Sequence, residues 1–130
     1  MKQIAFNEIS AAEVSAIPAM KQLKLFFAFK VDDGCLNGEP TDPRFGIVER
    51  DGRRIYRFRS DEDDYRIYFT VEKNADGDDV VVVQRVLHAD SLKDFFFRSG
   101  MGSDSEDRKL GKSRSFWKLI DDGEKAVRKK

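Results

Sequence analysis

Arg53-Arg54-Ile55-Tyr56-Arg57-Phe58-Arg59-Ser60-Asp61-Glu62-Asp63-Asp64-Tyr65-Arg66-Ile67-Tyr68-Phe69-Thr70-Val71 reads as two antiparallel strands around an acidic turn. Side chains alternate along a strand. Ile55, Arg57 and Arg59 therefore point one way, and Tyr56 and Phe58 the other. On the second run Tyr65, Ile67, Phe69 and Val71 share a face, and Arg66, Tyr68 and Thr70 share the opposite one. The apolar sets belong on a core. Arg57, Arg59, Arg66 and Tyr68 are left together on the other face, which is either a solvated sheet surface or an anion-binding one. Guanidinium forks suit phosphate, and aromatic rings suit bases.

Working outward, Asp51-Gly52 before this stretch is a hairpin signal, and Phe45-Gly46-Ile47-Val48-Glu49 is a short extended piece. After it, Asn74-Ala75-Asp76-Gly77-Asp78-Asp79 is a turn without the closing Glu of a calcium loop. Val80 to His88 is a strand whose unbroken apolar start places it centrally, buried on both sides. Towards the N-terminus, residues 1–6 form a short edge strand. Ser10 and Glu13 make a capping box for a first helix, and Pro18 opens a second that runs to Lys30. The Phe26-Phe27-Ala28-Phe29 cluster is apolar all round and is expected to be buried. Residues 32–44, with Gly34, Cys35, Gly38, Pro40 and Pro43, form a loop. Leu92 to Arg98 is a short helix, 99–115 a polar linker, and 116–130 a basic helix and tail with Phe116, Trp117 and Ile120 on one side. The fold class is α+β: an N-terminal helix hairpin on a small antiparallel sheet, with a C-terminal helical extension. The domain covers 1–98.

A chain of 130 residues with 40% hydrophobic and 37% charged residues is a charge-rich globule. Its single Cys35 cannot close an internal disulfide, and no apolar run approaches the roughly 20 residues of a membrane span. The N-terminus lacks a secretory signal, so a cytoplasmic, bacterial setting is expected. Formal net charge is zero, but residues 108–130 hold nine Lys or Arg against three acids. Such a tail either touches nucleic acid or folds back on its own acidic body. One His, one Cys and no nucleotide-loop pattern imply no metal and no cofactor. His88, at the end of the buried strand, is the side chain suited to proton transfer near neutrality. Lys93 and Arg98 on the following helix, with Arg57 and Arg66, could surround one groove.

The order of elements, the two arginine strands and above all Asp64-Tyr65-Arg66-Ile67-Tyr68-Phe69 resemble the RelE/ParE toxin superfamily of bacterial toxin–antitoxin systems, over roughly residues 1–98. The resemblance implies a metal-independent, ribosome-dependent mRNA endonuclease that represses translation. A ribose 2′-OH would attack the adjacent phosphodiester, and cations would stabilise the charge that develops. It places Arg57, Arg66, His88 and Lys93 in the catalytic set, and Arg59, Tyr68 and Arg98 on RNA. Ile55 stands where the family has a second basic position. The alternatives are a ParE-like toxin that binds a protein target such as DNA gyrase, and a toxin-like interaction module with Phe116–Ile120 docked across the groove. The implied partners are a cognate antitoxin, as a hetero-oligomer, with the ribosome and mRNA for the nuclease. An acidic antitoxin segment would cover Arg57 and Arg66. On this reading Arg66→Ala abolishes toxicity and leaves the fold intact.

Overall fold

Ten elements follow one another in the structure, a computed structural model that describes residues 3–31, 43–93 and 105–129. They are β1 (Gln3–Asn7), α1 (Glu8–Ser15), α2 (Ala19–Ala28), β2 (Phe45–Arg50), β3 (Arg53–Arg59), β4 (Tyr65–Lys73), β5 (Asp79–His88), α3 (Glu106–Gly111), α4 (Arg114–Lys125) and β6 (Arg128–Lys129). Residues 89–93 add a helical turn. The class is α+β. Cys35, Phe95 to Phe97, Arg98 and most of the 32–44 loop lie outside the described residues.

β5 explains the sheet. Its valines are buried on both faces, so it needs a strand on each side. β4 takes one side, antiparallel from Tyr65↔His88 to Lys73↔Asp79. β1 takes the other in parallel, from Gln3↔Val80 to Phe6↔Val83. The sheet is therefore mixed rather than wholly antiparallel, in the order β2-β3-β4-β5-β1-β6. β1 is not an edge strand, because the chain's end pairs beside it at Phe6↔Lys129 and Asn7↔Arg128. The β2–β3 turn takes the left-handed backbone that Asp51-Gly52 suggests, with φ of 51° and 83°.

The cap of α1 lies three residues before the expected one. The Asn7 side chain accepts from Ser10 N at 2.7 Å, and Ser10 Oγ accepts from Asn7 N at 3.0 Å. Asn7 is fixed from behind, since its amide donates to Gln84 O and to Gly123 O at 3.1 and 2.9 Å. Glu13 is thereby freed for β5. It receives two N–H groups of Arg85 and the backbone N–H of Val86, at 2.9 Å, where β1 has ended. The third arm of Arg85 donates to Leu119 O at 3.1 Å, so this one side chain ties α1 to α4 around the rim of the sheet.

Two apolar layers result. Ile17, Leu25 and Phe29 of the helix hairpin pack on Phe45, Phe58, Ile67, Phe69, Val81, Val83 and Val86. On the opposite face Leu110, Phe116, Trp117 and Ile120 pack on Val48, Ile55, Tyr68 and Leu87, with Leu92 alongside. Part of the expected linker is helix α3, because Ser105 caps it by accepting from Arg108 N and two acids follow in its first turn. The basic tail runs into β6 at Arg128–Lys129. The expected burial of the whole Phe26–Phe29 cluster holds only in part. Phe29 is deep in the core, Phe26 is half-buried, and Phe27 is 78% exposed.

Candidate functional site: the arginine face of the sheet

The alternation read from the sequence brings Arg57, Arg59, Arg66 and Tyr68 together. Arg57 lies opposite Tyr68, and Arg59 opposite Arg66, in the β3–β4 ladder. The face is not solvated, however. Arg57 is 5% exposed, Arg66 3% and Tyr68 0%, because α3 and α4 lie over them. The C-terminal segment supplies the anions as well as the cover. Arg57 donates from Nε and Nη2 to Asp107, at 3.1 and 2.8 Å, and from Nη1 to Arg44 O at 2.6 Å. Arg66 donates from Nε and Nη2 to Glu106, at 2.8 and 3.2 Å. Its remaining Nη1 reaches the carbonyls of Asp63 and Tyr65. Both forks are thus engaged bidentately by adjacent carboxylates of one helical turn. Gly46 allows this approach, since a Cβ there would lie 2.2 Å from Arg57 Nη2 and 2.7 Å from Asp107 Oδ2. Arg59 sits at the rim, 3.4 Å from Asp63 and 3.9 Å from Glu106.

Tyr68 packs edge-on against Phe116, ring centroids 5.0 Å apart. Its hydroxyl has no hydrogen-bond partner among the described residues. Burial, followed by the nearby charges of Glu106 and Asp107, pushes its pKa well above 10. A phenol whose folded pKa is raised contributes stability that is present below pH 10 and lost as pH rises through the folded value. Tyr68→Phe removes both the unpartnered hydroxyl and this titration. It is expected to raise stability by about 1 kcal/mol and to flatten the loss of stability above pH 10, as read from denaturant midpoints across alkaline pH. Lower stability in the variant would show that the hydroxyl holds a partner.

The other expected site residues are not part of this cluster. His88 pairs with Tyr65 and stacks edge-on against it at 5.1 Å, on the face that carries the helix hairpin. Its Nδ1 accepts from Asp90 N at 3.0 Å, so it caps a strand end. Lys93 is exposed and pairs with Asp90 at 3.1 Å. Neither makes a contact with Arg57 or Arg66, and Arg98 lies outside the described residues. Glu106 and Asp107, which decide the chemistry of the face, were missed. The signal was Ser105-Glu106-Asp107, an N-cap followed by first-turn acids. Among the described residues no three His, Cys, Asp or Glu side chains gather as metal ligands, and no helix is long and apolar enough to cross a membrane.

Magnitudes decide whether α3 and α4 are a removable cover. Burying Leu110, Phe116, Trp117 and Ile120 contributes roughly 6–12 kcal/mol at about 1.5–3 kcal/mol each. That is the size of the whole stability of an ordinary domain, about 5–15 kcal/mol. The cover is core, and lifting it amounts to unfolding.

A second surface is open. Met20, Leu23 and Phe27, spaced for one side of α2, are 69%, 67% and 78% exposed. Beside them a groove of about 210 Å³ runs between α2 and the Ser60–Asp64 turn. Lys21 and Lys24 bridge it to Asp64 and Glu62, at 2.7 and 3.4 Å. Comparison with protein-family models, with curated proteins and with solved structures returns no match.

Proposed function

We propose that this chain is a RelE/ParE-like protein that acts by binding a protein partner and does no chemistry at its arginine face. The observation that carries this reading is the double bidentate engagement of Arg57 and Arg66 by Asp107 and Glu106, over a Tyr68 with no exposed surface. A message in that groove would have to displace a large part of the hydrophobic core. The helix hairpin, the adjacent arginine strands and the Asp64–Phe69 stretch support the superfamily reading and its bacterial, cytoplasmic setting. The position expected for an antitoxin's acidic segment is filled by the chain's own Glu106 and Asp107. The partner surface in this reading is the stripe Met20–Leu23–Phe27, which fits the apolar side of an amphipathic helix from an antitoxin-like partner or a protein target.

The test is induced expression in a bacterial host, with growth and the integrity of messages on translating ribosomes followed together. Growth arrest with intact messages is expected, relieved in a Leu23→Ser, Phe27→Ser double variant. Messages cut at the ribosome would overturn the non-catalytic reading. Arrest that persists in the double variant would remove the stripe as its surface.

A further inference from the structure

The basic tail read from the sequence divides in two when folded. Its end folds back, with Arg128 bonded to Glu72. Its beginning packs on the sheet through its apolar side but keeps three cations in solvent. Arg108, Arg114 and Lys118 are exposed, and their side chains make no ion pair among the described residues. All three sit around the α3–α4 corner, which is seated on β2. The Trp117 indole N–H donates to Gly111 O at 2.8 Å, and Gly111 lies so close to Glu49 that an added Cβ would be 2.4 Å from its carbonyl oxygen.

A cleft opens on each side of this corner. One, of about 350 Å³, is lined by Arg54, Arg108 and Lys112 with Glu49 and Asp107. The other, of about 420 Å³, is lined by Arg50, Arg53, Arg114 and Lys118 with Asp51 and Asp121. Most of the acids already hold a partner, Glu49 and Asp121 within the clefts themselves. Glu49 pairs with Arg54, Asp107 with Arg57, and Asp121 with Arg53. Asp51 remains, 3.8 Å from Arg50. Arg53 and Arg54 are neutralised by those pairs, which leaves Arg108, Arg114 and Lys118 as exposed cations without an ion pair among the described residues at this rigid corner. The aromatic ring in the clefts, Trp117, is buried beneath the Arg53 guanidinium at 4.7 Å, so it offers no stacking platform.

We propose that the α3–α4 corner is a sequence-independent binding surface for the phosphate backbone of a nucleic-acid duplex, with Arg108, Arg114 and Lys118 as the principal contacts. Unpaired cations on fixed helices supply phosphate contacts, which give affinity without sequence information. The lack of an exposed ring favours a duplex over a single strand, because single-strand binders stack bases on aromatic side chains. Its three principal contacts lie beyond the stretch that resembles RelE/ParE proteins, and the proposal does not depend on that reading.

The experiment measures fluorescence anisotropy of a short labelled DNA duplex with the full chain. A single-stranded RNA of the same length and vesicles containing phosphatidylserine serve as competing probes. With about three phosphates neutralised, affinity for the duplex is expected to fall roughly 40-fold between about 50 and 200 mM salt. The triple variant Arg108→Ala, Arg114→Ala, Lys118→Ala should keep the circular-dichroism spectrum and melting curve, and bind at least about tenfold more weakly. Lys21→Ala with Lys24→Ala, on α2, should bind like wild type. No duplex binding at the lower salt would overturn the proposal. So would a triple variant that binds normally, or a preference for the RNA strand or the vesicles.

Discussion

Arg66→Ala is expected to destabilise the protein by about 3 kcal/mol, the low end for breaking a buried ion pair. The substitution leaves Glu106 without its fork, although its carboxylate keeps some contact with solvent. It also strips the carbonyls of Asp63 and Tyr65 of a donor. The pair as a whole is worth far less than this loss, because two charges had to be taken out of water to form it. Arg66→Met combined with Glu106→Leu should therefore recover most of what Arg66→Ala loses. Denaturant midpoints of the single and double variants separate these effects. A strongly destabilised single variant rescued by the double one identifies a structural pair. Wild-type stability in Arg66→Ala would mean that the face is open to water, as the sequence alone suggested, and would restore Arg66 as a phosphate ligand.

What the sequence disclosed and what it hid follow from the range of each signal. Period-two alternation is local, so the shared face of Arg57, Arg59, Arg66 and Tyr68 was legible, as were the Asp51-Gly52 turn and the central place of β5. Whether that face meets water depends on residues forty to fifty positions away, and alternation carries no such information. Arg66 and Glu106 are linked only in the fold. Gly and Ser make 99–115 look like a linker, whereas Ser105 and the two acids after it start a helix. Ser10 looked like a cap because its hydroxyl does belong to a capping box, but as the third helical residue; the choice of Asn7 rests on Gln84 and Gly123, far along the chain. The resemblance and the expected groove join His88 and Lys93 to the arginines. One step along a strand changes the face, which sets His88 on the hairpin side beside Tyr65. Exposure of Phe27 was hidden too, because an all-apolar cluster carries no period that says which member faces out.

The larger expected effect is that of removing residues 105–130. The shortened chain is expected to lose cooperative unfolding and to aggregate. Deletion uncovers Val48, Ile55, Tyr68 and Leu87 on one sheet face and leaves Arg57 and Arg66 without carboxylates. It also removes Gly123 and Leu119, whose carbonyls receive Asn7 and Arg85, so the cap of α1 and the rim of β5 loosen together. The lost burial, roughly 6–12 kcal/mol, is comparable with the total stability of a domain of this size. Gel filtration and thermal unfolding of the shortened chain beside the full one read the result. A compact, cooperatively melting product would show α3 and α4 to be a detachable cover. If that product also cut messages on translating ribosomes, the arginine face would be a nuclease site held closed by its own chain, and the non-catalytic reading would fall. An aggregated product that the isolated 105–130 segment, added in trans during refolding, returns to solution would show instead that the segment completes the fold.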